Sequence, residues 1–102
     1  MNEQARDLYD RVGPVLQPGA IGAAIVAAIQ DLNSDVMVVD RGAYLRVMVP
    51  NRCFVTRAAI EKHLGRPFRF PGELETVMSA FKGTLKLGQD DAVWQFAPTT
   101  HK

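Results

Sequence analysis

The sequence contains few of the residues from which metal and redox centres are usually built. Its 102 residues include a single cysteine, Cys53, and two histidines, His63 and His101. One cysteine cannot form an intramolecular disulfide, and a zinc site needs several Cys or His ligands at short spacing. Neither histidine has a second ligand at such a spacing. We therefore predict no metal site, a surface position for His63 and a core position for Cys53, which lies in an apolar segment.

The sequence also lacks an excess of charge and a long apolar run. Twelve basic residues against eleven acidic ones give a formal charge of +1, so no strong field attracts nucleic acid or an anionic membrane. The longest apolar run, Ala20 to Ile29, is shorter than the roughly 20 residues of a membrane helix. The first dozen residues lack the apolar core of a signal peptide. We expect a cytoplasmic protein without membrane or nucleic-acid partners.

The clearest local pattern is a complete helix that follows Thr56. Thr56 can cap its first turn, Ile60 and Leu64 share one face, Gly65 suits the left-handed residue after a helix, and Pro67 prevents its continuation. Beyond this helix, two phenylalanines bracket Arg69 in an alternating pattern that is expected to fix the returning chain to the core.

Two further helices are predicted on either side. Before the central helix, isoleucines and a leucine recur at helical spacing from Ile21 to Leu32. After it, a third helix is expected from Pro71 to about Lys82. Its buried stripe would consist of Leu74, Val77, Met78 and Phe81. Its opposite face would carry small or mildly polar residues that offer little obstruction to a docking partner, namely Glu75, Thr76, Ser79, Ala80 and Lys82.

The remaining apolar segments have the lengths and patterns of strands. Val12–Leu16 contains Pro14 and is predicted to be an edge strand, whereas Val36–Val39 lacks alternation and is predicted to be central. Residues 43 to 49 alternate, with Leu45, Val47 and Val49 on one face. Further strands are expected at residues 52 to 55, 84 to 87 and 92 to 96.

The order β-α-β-β-β-α-α-β-β predicts a compact single α+β domain with mostly antiparallel strands and three helices. We place this domain at residues 12 to 97, with a flexible arm at residues 1 to 11 and a tail at residues 98 to 102.

A basic cluster around the central helix leaves one alternative function open. Arg57, Lys62, Arg66 and Arg69 could form a small nucleic-acid-binding module, a surface for an acidic protein, or an ordinary solvated face. A small enzyme built around His63 or Cys53 is a second alternative. The carboxylates are scattered and no glycine-rich phosphate loop is present, so no catalytic constellation can be assembled from the sequence.

Six sequence blocks between Val12 and Gly83 resemble one known family, and the match spans roughly residues 12 to 96 in the same order of elements. The six blocks are Val12–Val15, Val39–Arg46, Thr56–Arg57, Leu64–Phe68, Glu73–Glu75 and Ser79–Gly83. The chain resembles the effector, or coupling, proteins of bacterial multicomponent diiron monooxygenases, with the toluene monooxygenase branch as the best match.

The resemblance implies a regulator and not an enzyme. Proteins of this family hold no cofactor and bind the diiron hydroxylase near its active site. There they raise turnover and couple oxygen activation to oxidation of an aromatic hydrocarbon or alkene. A Rieske-type or flavin-dependent electron donor competes for an overlapping hydroxylase surface. We expect the free protein to be a monomer.

The resemblance also implies a contact segment. In related effectors, the segment matching Ser79–Gly83 faces the hydroxylase, and Phe81 is expected to anchor that segment in the core. The predicted partner-binding residues are Thr76, Ser79, Ala80, Lys82 and Gly83.

Overall fold

The computed structural model describes residues 10 to 96 and contains two antiparallel sheets and three helices. The elements in chain order are β1 (Arg11–Leu16), α1 (Ala20–Leu32), β2 (Met37–Asp40), β3 (Leu45–Pro50), β4 (Arg52–Thr56), α2 (Arg57–Leu64), α3 (Gly72–Val77), β5 (Met78–Lys82), β6 (Thr84–Leu87) and β7 (Asp91–Gln95). The predicted α+β class and order of elements are confirmed, and one strand, β5, is added. The predicted arm and tail fall mainly outside the described residues, and β1 begins one residue before the predicted boundary.

The larger sheet has the strand order β2-β3-β1-β5, so β1 lies inside the sheet. The prediction of an edge position, which rested on Pro14, is therefore wrong. Val12 pairs with Val49 and Val15 pairs with Arg46, while the ladder between β1 and β3 is interrupted at the two residues between them. Because Pro14 lies in this interruption, its missing N–H removes no bond to β3.

The predicted central position of β2 is also wrong. Among the described residues 10 to 96, this strand pairs only with β3 and forms an edge of the larger sheet, and Met37 is 38% exposed. A short apolar run without alternation has the same appearance whether it is covered on two faces or half-buried at an edge.

The core lies between the two sheets and α1, which packs against α2 and β4. Trp94 and Phe68 are its largest fully buried side chains. The predicted inward face of β3 is confirmed, since Val47 and Val49 are buried and Leu45 packs partly against the core. Within residues 10 to 96, no helix combines the length and apolar character needed to cross a membrane.

The boundaries of α2 agree with the sequence signals. The Thr56 hydroxyl oxygen accepts a hydrogen bond of 3.1 Å from the backbone N–H of Ala59. At the other end Gly65 adopts φ 80°, and its N–H donates to the carbonyl of Glu61. Phe68 is buried next to the half-buried Phe70, with ring centroids 6.3 Å apart. The predicted return of the chain to the core is confirmed.

The third helix is half as long as predicted. It ends at Val77, and residues 78 to 82 form β5 against β1. Phe81 lies opposite Pro14 and is 45% exposed, so its predicted place in a buried helical stripe is wrong. The backbone of β1 offers a second open edge, and pairing with that edge outweighs the weak local preference of Met78–Lys82 for a helix.

Candidate partner interface

Within residues 10 to 96, the segment with the predicted contact residues runs along an edge of each sheet. β5 is the last strand of the larger sheet, and β6 is the last strand of the smaller one. Gly83 alone joins the two strands. Each β5 side chain is half-buried or exposed. An edge strand has backbone N–H and C=O groups that no neighbouring strand satisfies, which is a common basis for binding another chain.

Ser79 occupies a bulge in β5. Val15 pairs with Ala80 and Leu16 pairs with Met78, which leaves Ser79 as the extra residue between them. Its hydroxyl lies 3.4 Å from the carbonyl oxygen of Val15, to which it donates a long hydrogen bond. Bulges bend an edge strand and redirect its side chains. The local geometry therefore sets where the side chains from Ala80 onward point.

Gly83 adopts φ 106°, a conformation that favours glycine. A Cβ atom at this position would lie 2.8 Å from Cγ1 of Val12 and 2.9 Å from the carbonyl oxygen of Gln95. The chain can therefore cross from the larger sheet to the smaller sheet at position 83 only if this residue has no side chain.

The five predicted contact residues do not share one face. Ala80 and Lys82 line a groove on the outer face of the larger sheet. Thr76 borders a different groove and donates its hydroxyl proton to the carbonyl of Gly72, 3.0 Å away. Ser79 lies in the bulge between these two positions. The small-residue helical face expected from the sequence does not exist, because Ser79 and the residues after it belong to a strand.

The groove beside Ala80 includes residues that sequence reasoning missed. It has a volume of about 90 Å³ and is lined on its other sides by Gly13, Val15, Arg46 and Met48. The alternation of β3 correctly places Arg46 and Met48 away from the core. No sequence signal shows that β1 and β5 lie beside them, since those strands are distant in the chain.

A second groove, of about 540 Å³, lies beside α2 and contains much of the predicted basic cluster. Arg66 forms an ion pair with Glu73, with Nη2 and Oε2 3.3 Å apart. Glu73 also accepts a 2.6 Å hydrogen bond from the backbone N–H of Arg69. This backbone hydrogen bond, with the help of Arg66, lowers the pKa of Glu73 below its ordinary value. Arg57 is paired with Glu61 at 3.8 Å and with a second carboxylate of the β6–β7 turn.

A third groove, of about 440 Å³, separates the start of α1 from α3. Gln17 and the residues up to Gly22 form one wall, and Thr76 and Val77 lie on the other. The groove is largely apolar, and its charged residues are again Arg66 and Glu73, which neutralise each other.

The fourth cation of the cluster contacts α1. Lys62 Nζ lies 3.9 Å from Oδ2 of Asp31, and His63 Nε2 is 2.6 Å from the same oxygen. The hydrogen bond with His63 is the main cause that lowers the pKa of Asp31. The predicted surface position of His63 is confirmed. Three of the four cations in the cluster therefore have carboxylate partners within this chain, which weakens the nucleic-acid alternative.

The other candidate reactive residues of the sequence are either buried or far from one another. Cys53 is fully buried, and burial raises the pKa of its thiol to about 12, so the reactive thiolate is strongly disfavoured. Among residues 10 to 96, no group of three or more His, Cys, Asp and Glu side chains is arranged to hold a metal ion. His101 lies outside the described residues.

Comparison with known proteins identifies the family of this chain. Residues 10–95 match the model of the MmoB/DmpM family. The chain belongs to the MmoB/DmpM family. The effector subunit of an alkene monooxygenase system from Xanthobacter autotrophicus is 34% identical over 87 residues, which cover 83% of this chain and 85% of that subunit. The resemblance to the effector proteins of multicomponent monooxygenases is thus confirmed.

A solved structure has a similar architecture. A chain in the structure of a phenol hydroxylase-regulatory protein complex superposes with a TM-score of 0.74. The match covers 85% of this chain and 98% of that one, at 18% sequence identity. At this identity the similarity establishes the fold alone.

Proposed function

We propose that this MmoB/DmpM protein is the non-catalytic effector subunit of a multicomponent diiron monooxygenase. It binds the hydroxylase component close to the active site, raises turnover, and couples oxygen activation to oxidation of an alkene or an aromatic hydrocarbon. The observation that carries the proposal is the match of residues 10–95 to the family, together with a 34% identical relative named as the effector subunit of an alkene monooxygenase system. The predicted cytoplasmic location is part of the same proposal.

The proposal has a simple energetic requirement. An effector changes its partner only if it binds one conformation of that partner more tightly than another. A preference of about 1.4 kcal/mol changes the ratio of the two conformations tenfold. An interface of ordinary size with a few well-placed contacts meets this requirement, and this chain needs no chemistry of its own to do so.

The proposed contact segment begins at Thr76 near the end of α3 and continues along the edge strand β5 to Gly83, with Ser79, Ala80 and Lys82 between them. Its support comes from the exposed side chains of β5 after Met78, the position of β5 at the edge of the larger sheet and the small side chains of Ser79 and Ala80. In this arrangement the partner contacts the strand β5 and the last turn of α3, and not one long helical face. Competition with a Rieske-type or flavin-dependent electron donor follows if that donor uses the same hydroxylase surface.

The deciding experiment is a titration of a reconstituted system. Product formation and reductant consumption are measured with the cognate hydroxylase and its electron-transfer components at increasing concentrations of this protein. A saturable rise in product per electron is expected. A competent hydroxylase whose turnover and coupling do not change over the whole titration would contradict the proposal. The same titration at several concentrations of electron donor tests competition.

A further inference from the structure

The groove beside Ala80 differs from the other two grooves in its charge. The groove beside α2 and the groove at the start of α1 both contain Arg66 together with its partner Glu73. The groove beside Ala80 is lined by the cations Arg46 and Lys82 and by no carboxylate. Because no carboxylate lines this groove beside Arg46, the groove can attract an acidic group of a partner.

Gly13 lines the groove from β1, at a point where the backbones of β1 and β3 approach each other closely. This residue adopts φ 149°, and a Cβ atom there would lie 2.3 Å from the carbonyl oxygen of Val47. Met48 lines the groove on the β3 side and Ala80 lines it on the β5 side. The result is a depression with apolar walls in the outer face of a sheet.

Arg46 stands at the rim of this depression among apolar neighbours. It pairs with Val39 on β2 and with Val15 on β1, and Val15 pairs in turn with Ala80. These four residues therefore form a row across the outer face. Over the described residues 10 to 96, no acidic side chain lies within 4.0 Å of the Arg46 guanidinium, which is exposed. An arginine in this position can form a bidentate pair with a carboxylate from another molecule.

The size of the groove limits what it can hold. Its volume of about 90 Å³ equals the liquid volume of roughly three water molecules. Pockets for drug-sized ligands or cofactors usually measure about 300 to 1,000 Å³. The groove therefore fits one apolar side chain and not a small-molecule cofactor.

We propose that the outer face of the larger sheet binds an acidic segment of the hydroxylase. One apolar side chain of that segment enters the groove over Gly13, and a neighbouring carboxylate pairs with Arg46. This inference rests on the proposed function and adds a second face, supplied by β1 and β3, to the open edge of β5. Anchors of this kind, an apolar side chain in a pocket beside a charged pair, carry much of the affinity of protein interfaces.

Two variants test the proposal by independent means. Arg46→Glu reverses the charge at the rim, and Ala80→Leu fills the groove. Arg41→Glu is the matched control. Arg41 is exposed in the turn between β2 and β3, and its replacement by Glu changes the net charge by the same amount as Arg46→Glu. Affinity is measured by calorimetry with the cognate hydroxylase, and folding of each variant is checked by urea unfolding.

We expect the dissociation constant to rise at least about tenfold for Arg46→Glu and for Ala80→Leu. Arg41→Glu should remain within about threefold of the starting protein, and Arg46→Lys should recover part of the loss. Added salt should weaken binding of the starting protein more than binding of Arg46→Glu.

Unchanged affinity of both folded variants, with a starting protein that binds and stimulates the hydroxylase, would overturn this inference and leave the proposed function intact. A starting protein that neither binds nor stimulates would instead contradict the proposed function. Sedimentation of the free protein provides one more outcome. A dimer that Arg46→Glu dissociates would assign the face to a second copy of this chain and would also overturn the inference.

Discussion

The side-chain amide of Asn33 pairs with both backbone groups of Phe54. Asn33 Nδ2 donates to the Phe54 carbonyl at 2.8 Å, and the Phe54 N–H donates to Asn33 Oδ1 at 3.0 Å. Phe54 lies on β4, an edge strand of the smaller sheet. The side chain of Asn33 therefore makes the two hydrogen bonds that the backbone of a neighbouring strand would otherwise make with Phe54. This contact joins the end of α1 to the edge of the sheet on which α1 packs.

Asn33→Ala is expected to lower the free energy of unfolding by about 1 to 3 kcal/mol, because it leaves partly buried backbone groups of Phe54 unsatisfied. The third hydrogen bond of Asn33, to the carbonyl of Ile29, is lost as well. Urea unfolding measures the effect. Gln30→Ala, an exposed change on the same helix, is the control, and a loss of equal size in both variants would contradict a special role for Asn33.

Phe81→Ala should cost less than about 1 kcal/mol of stability, because the residue is 45% exposed. Phe68→Ala should cost about 3 to 5 kcal/mol, since that ring is fully enclosed. The two free energies of unfolding, measured under the same conditions, decide between a strand and the helical stripe that the sequence indicates. Equal losses of stability in the two variants would show that Phe81 is a core residue.

Gly13→Ala is expected to destabilise the protein by more than about 1 kcal/mol, since the new methyl group would meet the carbonyl of Val47. Gly72→Ala introduces the same group into open space at the first residue of α3 and should be neutral or slightly stabilising. Thermal unfolding of the two variants compares them directly. A stable Gly13→Ala protein would show that the strands can separate there without cost.

Glu73 gives the stability a defined dependence on pH. Its pKa is lowered in the folded protein, so its contribution is present above the ordinary value of 4.5 and is lost as the pH falls below that value. Glu73→Gln should therefore reduce stability near neutral pH, and its difference from the starting protein should shrink in acid. Glu75→Gln removes the same charge from the same helix and serves as the control. A difference in stability between Glu73→Gln and the starting protein that becomes larger in acid would contradict the proposed role of Glu73.

Ser79→Trp should keep the fold and weaken stimulation of the hydroxylase, because the indole would project from an exposed bulge on the proposed contact edge. The concentration for half-maximal stimulation is expected to rise about tenfold, equivalent to about 1.4 kcal/mol. Gln89→Trp places the same ring in the exposed turn between β6 and β7 and should have no effect. An unchanged dose-response curve for Ser79→Trp would refute the contact edge.

Signals that act within a few residues were sufficient to predict the local structure. Thr56 and Gly65 define the ends of α2 through their own backbone and hydroxyl groups. The alternation of Leu45, Val47 and Val49 likewise indicates which side of β3 faces inward. Each of these features depends on neighbours in the sequence.

Features that depend on distant partners were not predictable. Taken alone, Pro14 indicates that β1 is an edge strand. In the structure β5 pairs with β1 at Pro14 and places β1 inside the sheet. The same pairing turns Phe81 from a helical core residue into an exposed strand residue. The candidate groove was missed for this reason, since Gly13, Arg46 and Ala80 come together only when three separate strands pair.

The position of β1 between β3 and β5 also has a consequence for synthesis on the ribosome. Val15 pairs with Arg46 on one side and with Ala80 on the other, so β1 receives its second partner only after all the elements between β1 and β5 have been translated. Until then one edge of β1 is unprotected, and contacts between such distant residues form slowly. A nascent chain paused before β5 would therefore expose an apolar strand to chaperones and to other chains.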